Sequence, residues 1–513
     1  GELAAIARRR DLREGVAELK GSGHWSLAEF ATSGAVALRD LGWQDDEIAF
    51  SKANVTTDYS VTDQQLKLSK LQGKLFSGSL TGEAQVDNWL HSVPPSPASK
   101  SKKGGEGPLI ITAAPPPAKK GSKEKRPGVQ SGAVHLRLHD IAAGEIATAL
   151  DQPAHPLGRF HPAGLAAGTV NAAWRGSPRE AEVAFALDLN PPPRAAPGEL
   201  PMTAHAQGRY LAGTDTLELS QFTVSTPASR IQAAGILSPS SALRLSVSTS
   251  NLEEWRPLVT ALGGPTDVPF RVNGYATFNG VAGGTLSAPT LSGTMVAQDF
   301  EFTLPATSRT PEQQVHWDSF AAGVQFSFHE ASLRGGILRR GDTSADFDVS
   351  TTLRNGQFTP DSPYTARVNL HHVDVASTAA LTGFDYPVTG TADVALQISG
   401  TRAAPQVQGH IHATGASAYQ EAIESFDADL RMARGETALN NIHLTHGGAV
   451  VSGNAAYTPS ARAFRLDLTG ANFDLARVRQ IHLDRLPIEG RADFAVHSMK
   501  DVPGELPRGL LIA

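Results

Sequence analysis

The sequence predicts a mainly β chain assembled from a repeated unit, and three observations carry that prediction. The composition is that of many short strands joined by turns, with 49 Gly, 33 Pro and only 6% aromatic residues. Segments such as Ala392, Val394, Leu396 and Ile398 alternate with Asp393 and Gln397, the period of a strand with one apolar face. The chain also matches itself. VNGYATFNGVAGGTLSAPTLSGTMVA (272–297) aligns without gaps to VTGTADVALQISGTRAAPQVQGHIHA (388–413). Gly274, Gly284, Thr285, Ala288, Pro289 and Gly293 fall on Gly390, Gly400, Thr401, Ala404, Pro405 and Gly409. A third start, IEGRADFAVHS, puts Gly490 at 100 residues after Gly390, and weaker copies begin at Gly168 and Gly15. An array that grows by addition explains how 513 residues can exceed the size of one compact domain.

Each unit has a readable order. A short helix comes first. NLEEWRPLVTAL puts Leu252, Trp255, Leu258, Val259 and Leu262 on one side, with Ser250 and Glu253 at capping-box spacing. FDLARVRQI (473–481), with Asp474 as N-cap, holds the same place before Gly490. Strands follow, among them LRLSVS (243–248), VQFSF (324–328) and FRLDL (464–468). The spacing Tyr59…Leu66, Leu68, Leu71 recurs as Tyr210…Leu217, Leu219, Phe222. Trp25, Trp89, Trp174, Trp255 and Trp317 read as packing residues at repeat ends. Residues 93–128 break the pattern, with Lys100, Lys102, Lys103, Lys119, Lys120, Lys123, Lys125 and Arg126 against Glu106 and Glu124 alone. That stretch reads as a solvated linker or hairpin insertion, or else as a segment lying on an anionic surface.

Several function classes recede on composition. Net charge is -6, so no basic field points to nucleic acid. Cysteine is absent, which removes disulfides, thiolate metal sites and cysteine nucleophiles. His371-His372, His410-x-His412 and His443-x-x-His446 lack a carboxylate cluster at ligand spacing, so no metal is expected.

One-sided strands leave two outcomes open: a closed solenoid or sandwich with a dry core, or an open trough with an apolar lining. A trough suits lipid. A phospholipid has on the order of 30 methylenes, and exposing them costs roughly 24 kcal/mol at about 0.8 per CH₂. A continuous apolar gutter shields them without any catalytic group.

The Gly…Gly-Thr-x-x-Ala-Pro-x-x-x-Gly unit, the helix before it and the Tyr…Leu-x-Leu-x-x-Leu strands resemble the AsmA/TamB-type envelope proteins over residues 1–498. The resemblance implies an elongated repeating β-groove, an open, curved, taco-like sheet with one short helix per repeat. It also implies a Gram-negative periplasm, an inner-membrane anchor upstream, and work in outer-membrane biogenesis. That work is either shielding of phospholipid acyl chains between the membranes or assembly of β-barrels through an outer-membrane barrel partner; no enzyme activity or cofactor is implied. The expected units are residues 1–92, an insertion at 93–130, a degenerate unit at 131–267, units at 268–385 and 386–485, and the start of another at 486–498. Expected groove-lining residues are Leu66, Leu68, Leu217, Leu219, Leu243, Leu245, Phe326, Phe328, Val394, Leu396, Leu466 and Leu468.

The last residues read differently. ADFAVHSMKDVPGELPRGLLIA (492–513) resembles hydroxymethylbilane synthase (porphobilinogen deaminase). By that resemblance Asp501 is the catalytic carboxylate, while Ser498 and Lys500 contact a dipyrromethane cofactor. The family binds that cofactor through a cysteine, which this chain lacks, and no βαβ alternation precedes the motif. GRADFAVHS overlays GTADVALQI, so the repeat and the enzyme-like tail meet near Ser498, and residues 499–513 are expected to be an inactive fragment.

Overall fold

A computed structural model of the chain describes residues 11–26, 29–45, 48–90, 129–151, 160–256, 271–286, 288–304, 306, 311–381, 387–461, 463–475 and 490–497. The insertion at 93–128, most of the expected helices at 252–262 and 473–481, and the enzyme-like tail from Ser498 lie outside them. The protein is mainly β. Twenty-five strands belong to antiparallel sheet, and two short ones form a parallel pair. The chain divides into two units, residues 1–150 with 162–221, and residues 151–161 with 222–513.

The first unit opens with a meander of β1 (Leu12–Trp25), β2 (Phe30–Gln44), β3 (Ala49–Thr62), β4 (Gln65–Leu75), β5 (Gly78–Asp87) and β6 (Ser131–Ala142). Helix α1 (Ala143–Ala149) follows, then β7 (Pro162–Ala163), β8 (Leu165–Arg175) and β9 (Glu182–Asn190). β10 (Leu200–Pro201) pairs with β7, and β11 (Thr203–Leu211) pairs with β9. β12 (Thr216–Ser225) carries residues of both units.

The second unit is a longer meander in which each strand pairs with the next. It begins with β13 (Ser229–Ser238), β14 (Ser241–Thr249), β15 (Arg271–Gly284), β16 (Pro289–Leu304) and β17 (Gln313–Phe326). β18 (Glu330–Arg340), β19 (Thr343–Thr352) and β20 (Tyr364–Asp374) lead to helix α2 (Val375–Leu381). Next come β21 (Val388–Thr401), β22 (Ala404–Ala418), β23 (Glu421–Ala433) and β24 (Glu436–His446). β25 (Ala449–Thr458), β26 (Ala463–Asp474) and β27 (Arg491–His497) close it.

Two-residue strands aside, α1, a 3-10 turn at Leu252–Trp255 and α2 each follow a block of six strands. Sequence reading missed α2, whose cap is Asp374: its Oδ1 accepts from the Ser377 amide at 2.6 Å. The Leu252–Trp255 turn is capped by Asn251, which accepts from the Glu253 amide, and not by the expected Ser250, whose hydroxyl donates to the Ala228 carbonyl.

Gly274 and Gly390, the aligned first glycines of the repeat, have φ of +139° and +122°. A Cβ would strain that backbone and press on the next strand, 2.5 Å from Phe300 Cβ at Gly274 and 2.6 Å from Ala416 Cα at Gly390.

A second regularity recurs inside the strands. Asp40, Lys70, Asp140, Asp299, Gly335, His372, Gly415, Asn441 and Asn472 all have φ between 46° and 64°. They lie on the even-numbered strands β2, β4, β6, β16, β18, β20, β22, β24 and β26, and each coincides with a register shift, as does Lys52 (φ 61°) on β3. Each is therefore a bulge, an extra residue that bends its strand. The apolar position before it, such as Leu68, Leu370 or Leu439, is followed by the next at three residues on, here Leu71, Val373 or Ile442. The bulge thus returns the apolar side chains to the same face after the bend.

Five of these bulges are clamped by the following strand. The backbone N–H of Asp40 donates to Asn54 at 3.2 Å, that of Gly335 to Asp348 at 2.8 Å, and that of His372 to Asp393 at 3.0 Å. Asn441 donates in the same way to Asn454 at 3.1 Å, and Asn472 to Asp493 at 2.8 Å. Asp393 and Asp493 are the aligned aspartates of Gly-Thr-Ala-Asp and Gly-Arg-Ala-Asp, 100 residues apart. The stretch shared by the repeat and the enzyme-like tail is, through His497, a sheet strand.

Candidate functional site

Cross-strand partners in an antiparallel ladder share a face, so register alone traces what each face presents. In the second unit one row runs Phe347, Val368, Leu396, Gly409, Leu430, Leu439, Ala455, Leu466 through β19–β26. A parallel row runs Ala392, Ala413, Phe426, Leu444, Val451, Gly470, Phe494 through β21–β27. Toward β14, Leu245 meets Gly280, which meets Gly293, which meets Val324. No charged side chain interrupts these rows. The opposite face carries Arg367, Gln397, Gln408 and Arg431 in register. In the first unit Val61, Leu66, Val86 and Tyr59, Leu68, Ala84 form comparable rows.

The expected lining residues divide accordingly. Leu243, Leu245, Phe326, Val394, Leu396, Leu466 and Leu468 fall on the one apolar face of the second unit. Leu66 and Leu68 share the apolar face of the first unit, and Leu217 and Leu219 lie half-buried in β12. Phe328 does not belong: it sits in the turn after β17, beside Gly356. Asp501, Lys500 and Ser498 lie outside the described residues.

Burial along this face is shallow. Among the described residues 21 apolar side chains are buried, 13 of them alanine, and no large side chain is fully enclosed. Leu243 at 5% exposure is the one expected lining residue that is buried; the others described remain partly open. One buried cluster gathers Phe300 with Phe302 and Trp317, beside Ala276 and Ala297. Glycines on the apolar face are roofed by rings: Trp174 lies over Gly132, Phe347 over Gly336 and Phe494 over Gly470. The expected packing role therefore holds for Trp174 and Trp317, and Trp89 donates to the Thr62 carbonyl at 2.8 Å. Trp25 corrects it, being 86% exposed on β1.

The polar face holds histidine–carboxylate pairs that sequence reading did not assemble. His410 bonds Asp429 at 2.9 Å and His412 bonds Asp427 at 2.7 Å, since their strands bring these positions opposite each other. The Asn441 amide, then His410, hold the Asp429 carboxyl below the usual range. Among the described residues no group of three or more His, Asp or Glu is arranged to hold a metal ion. None of their helices is long and apolar enough to cross a membrane. The chain matches no family, no curated protein and no solved structure with which it was compared.

Proposed function

We propose that the chain is a non-enzymatic periplasmic carrier whose apolar face shields phospholipid acyl chains between the inner and outer membranes. The observation that carries this reading is the unbroken apolar register from β14 to β27, on side chains left half-open. Thirteen interstrand steps of about 4.8 Å correspond to roughly 62 Å of lining measured along the sheet, about twice a bilayer's hydrocarbon thickness. An apolar surface of that extent is normally an interaction site. The bulges support a trough, because bending every second strand curls the sheet about its long direction. The likeness to AsmA/TamB-type repeats supplies the envelope setting, with the anchor to the inner membrane as part of the proposal.

The test is site-specific photo-crosslinking in cells. Crosslinkers at Val394 and Leu396 are expected to capture phospholipid, and one at Gln397, on the other face, is not. Leu396→Asp is expected to reduce capture at Val394 by about tenfold, since a carboxylate beside the acyl chain replaces roughly 1.5–3 kcal/mol of leucine contact. Equal capture from Gln397, or undiminished capture in the variant, would sink the proposal.

A second reading, a scaffold for outer-membrane barrel assembly, is favoured by β1. It pairs with β2 alone among the described strands, and its Val16 and Leu19 are 66% and 68% exposed. Such an edge can accept an added strand. Crosslinks from Val16 to a barrel protein, with none to lipid from Val394, would select it.

A further inference from the structure

The polar face of the second unit contains a cleft of about 360 Å³ across β18–β22. Register builds it: Asp348 pairs with Arg367, Arg367 with Gln397, and Gln397 with Gln408. Arg334 flanks Asp348 from β18, so two guanidinium groups stand two strands apart, about 10 Å of sheet. Among the described residues neither has a salt-bridge partner, and Asp348 already accepts the clamping N–H of Gly335 at 2.8 Å. This contrasts with Arg209 of the first unit, which is held by Glu218 at 2.5 Å and Glu182 at 3.3 Å. The Gln397, Gln406 and Gln408 amides that complete the wall make no hydrogen bond within the described protein. Beside them the Ser350 and Thr365 hydroxyls pair at 2.9 Å. Ser332, in register with Ser350, is only 5% exposed, yet its hydroxyl has no partner among the described residues.

We infer that this cleft binds an acidic glycan. Planar guanidinium forks match carboxylate or sulfate oxygens bidentately. The row of amides and hydroxyls supplies both donors and acceptors, which sugar hydroxyls need. No aromatic ring lines the cleft, so it offers no stacking platform for a base. Its span of five strands, about 19 Å, suits an extended chain better than a compact anion. A net charge of -6 means that the whole protein does not attract polyanions, so binding here is local. The inference does not rest on the lipid reading, which uses the other face.

The experiment is calorimetric titration of the full chain with polygalacturonate and with neutral dextran as probes. Polygalacturonate is expected to bind at least tenfold tighter than dextran. The double variant Arg334→Gln/Arg367→Gln is expected to lose at least tenfold in affinity with an unchanged thermal transition. Arg465→Gln, on the same face outside the cleft, is expected to stay within twofold. Leu396→Asp, which disables the proposed lipid lining, is expected to bind polygalacturonate normally. Absence of polygalacturonate binding, equal affinity for dextran, an unaffected double variant, or an equal loss in Arg465→Gln would each overturn the inference.

Discussion

Gly336 offers a direct measurement of what the roofing rings contribute. It lies buried in β18 opposite Phe347, and a β-carbon there would overlap Cε2 and Cζ of that ring and stand 2.7 Å from its Cδ2. The backbone itself tolerates alanine, because the left-handed residue of this bulge is Gly335, with φ of +56°. Gly336→Ala therefore acts through the ring alone. Displacing Phe347 disturbs its stack on Phe320, at 5.9 Å between centroids and 30° between planes. Such a pair contributes about 0.5–1.5 kcal/mol, and uncovering some 40 Å² of apolar surface adds about 1 kcal/mol. Against this, the stiffer unfolded chain returns about 0.4–1 kcal/mol. The balance is a destabilisation of about 1 kcal/mol, local to β18 and β19. Long repeat arrays need not unfold in one step, so amide hydrogen exchange in those two strands is the appropriate assay. Exchange is expected to accelerate about fivefold, since 1.4 kcal/mol is a factor of ten. In a Phe347→Ala background the same substitution is expected to slow exchange by about twofold, because only the unfolded-state gain remains. Equal effects of Gly336→Ala in both backgrounds would refute the account of glycine as a seat for the ring.

Three further outcomes are expected. Asp393→Ala removes the acceptor of the His372 N–H and is expected to cost about 1 kcal/mol, read as faster exchange at His372; Asp393→Asn, which keeps an oxygen there, is expected to cost less than half as much. Asp374 is held below the usual carboxylate range chiefly by the Ser377 side chain, then by the Ser377 amide. A depressed folded pKa gives stability that is present above the unfolded value of about 3.9 and lost as pH falls through the folded one. Protection of the first turn of α2 is therefore expected to fall below about pH 4, and Asp374→Asn is expected to flatten that dependence. Tyr210, whose hydroxyl donates to Asp215 at 2.8 Å, is raised above the ordinary phenol range chiefly by that bond, and Asp215→Ala is expected to lower its spectrophotometric titration.

The alternation of Val394, Leu396 and Ile398 made strands and faces legible, because a period of two is the pleat itself. Seven expected lining residues share a face for that reason. The bulges are written less plainly. Leu66-x-Leu68-x-x-Leu71 reads as two apolar positions followed by a slip, and Lys70 at φ of +53° is what absorbs the slip. Asp, Asn and Gly at such positions look like turn residues, since turns and bulges demand the same left-handed backbone. Helix α2 is short, with three alanines in seven residues, so its apolar periodicity is too brief to register, and only Asp374 marks its start. Whether a one-sided sheet is roofed or open leaves no trace in periodicity, because both need the same alternation.

The described bulges of the left-handed kind at a three-residue apolar step fall on even-numbered strands, Lys52 of β3 excepted. Adding or deleting a single strand would set two such kinks side by side or leave none between neighbours, and the following strands would reverse their sense. The array can lengthen without breaking that rhythm only by whole hairpins, and a block of six strands is three of them. Duplication in that currency keeps the greasy side facing one way however long the chain becomes.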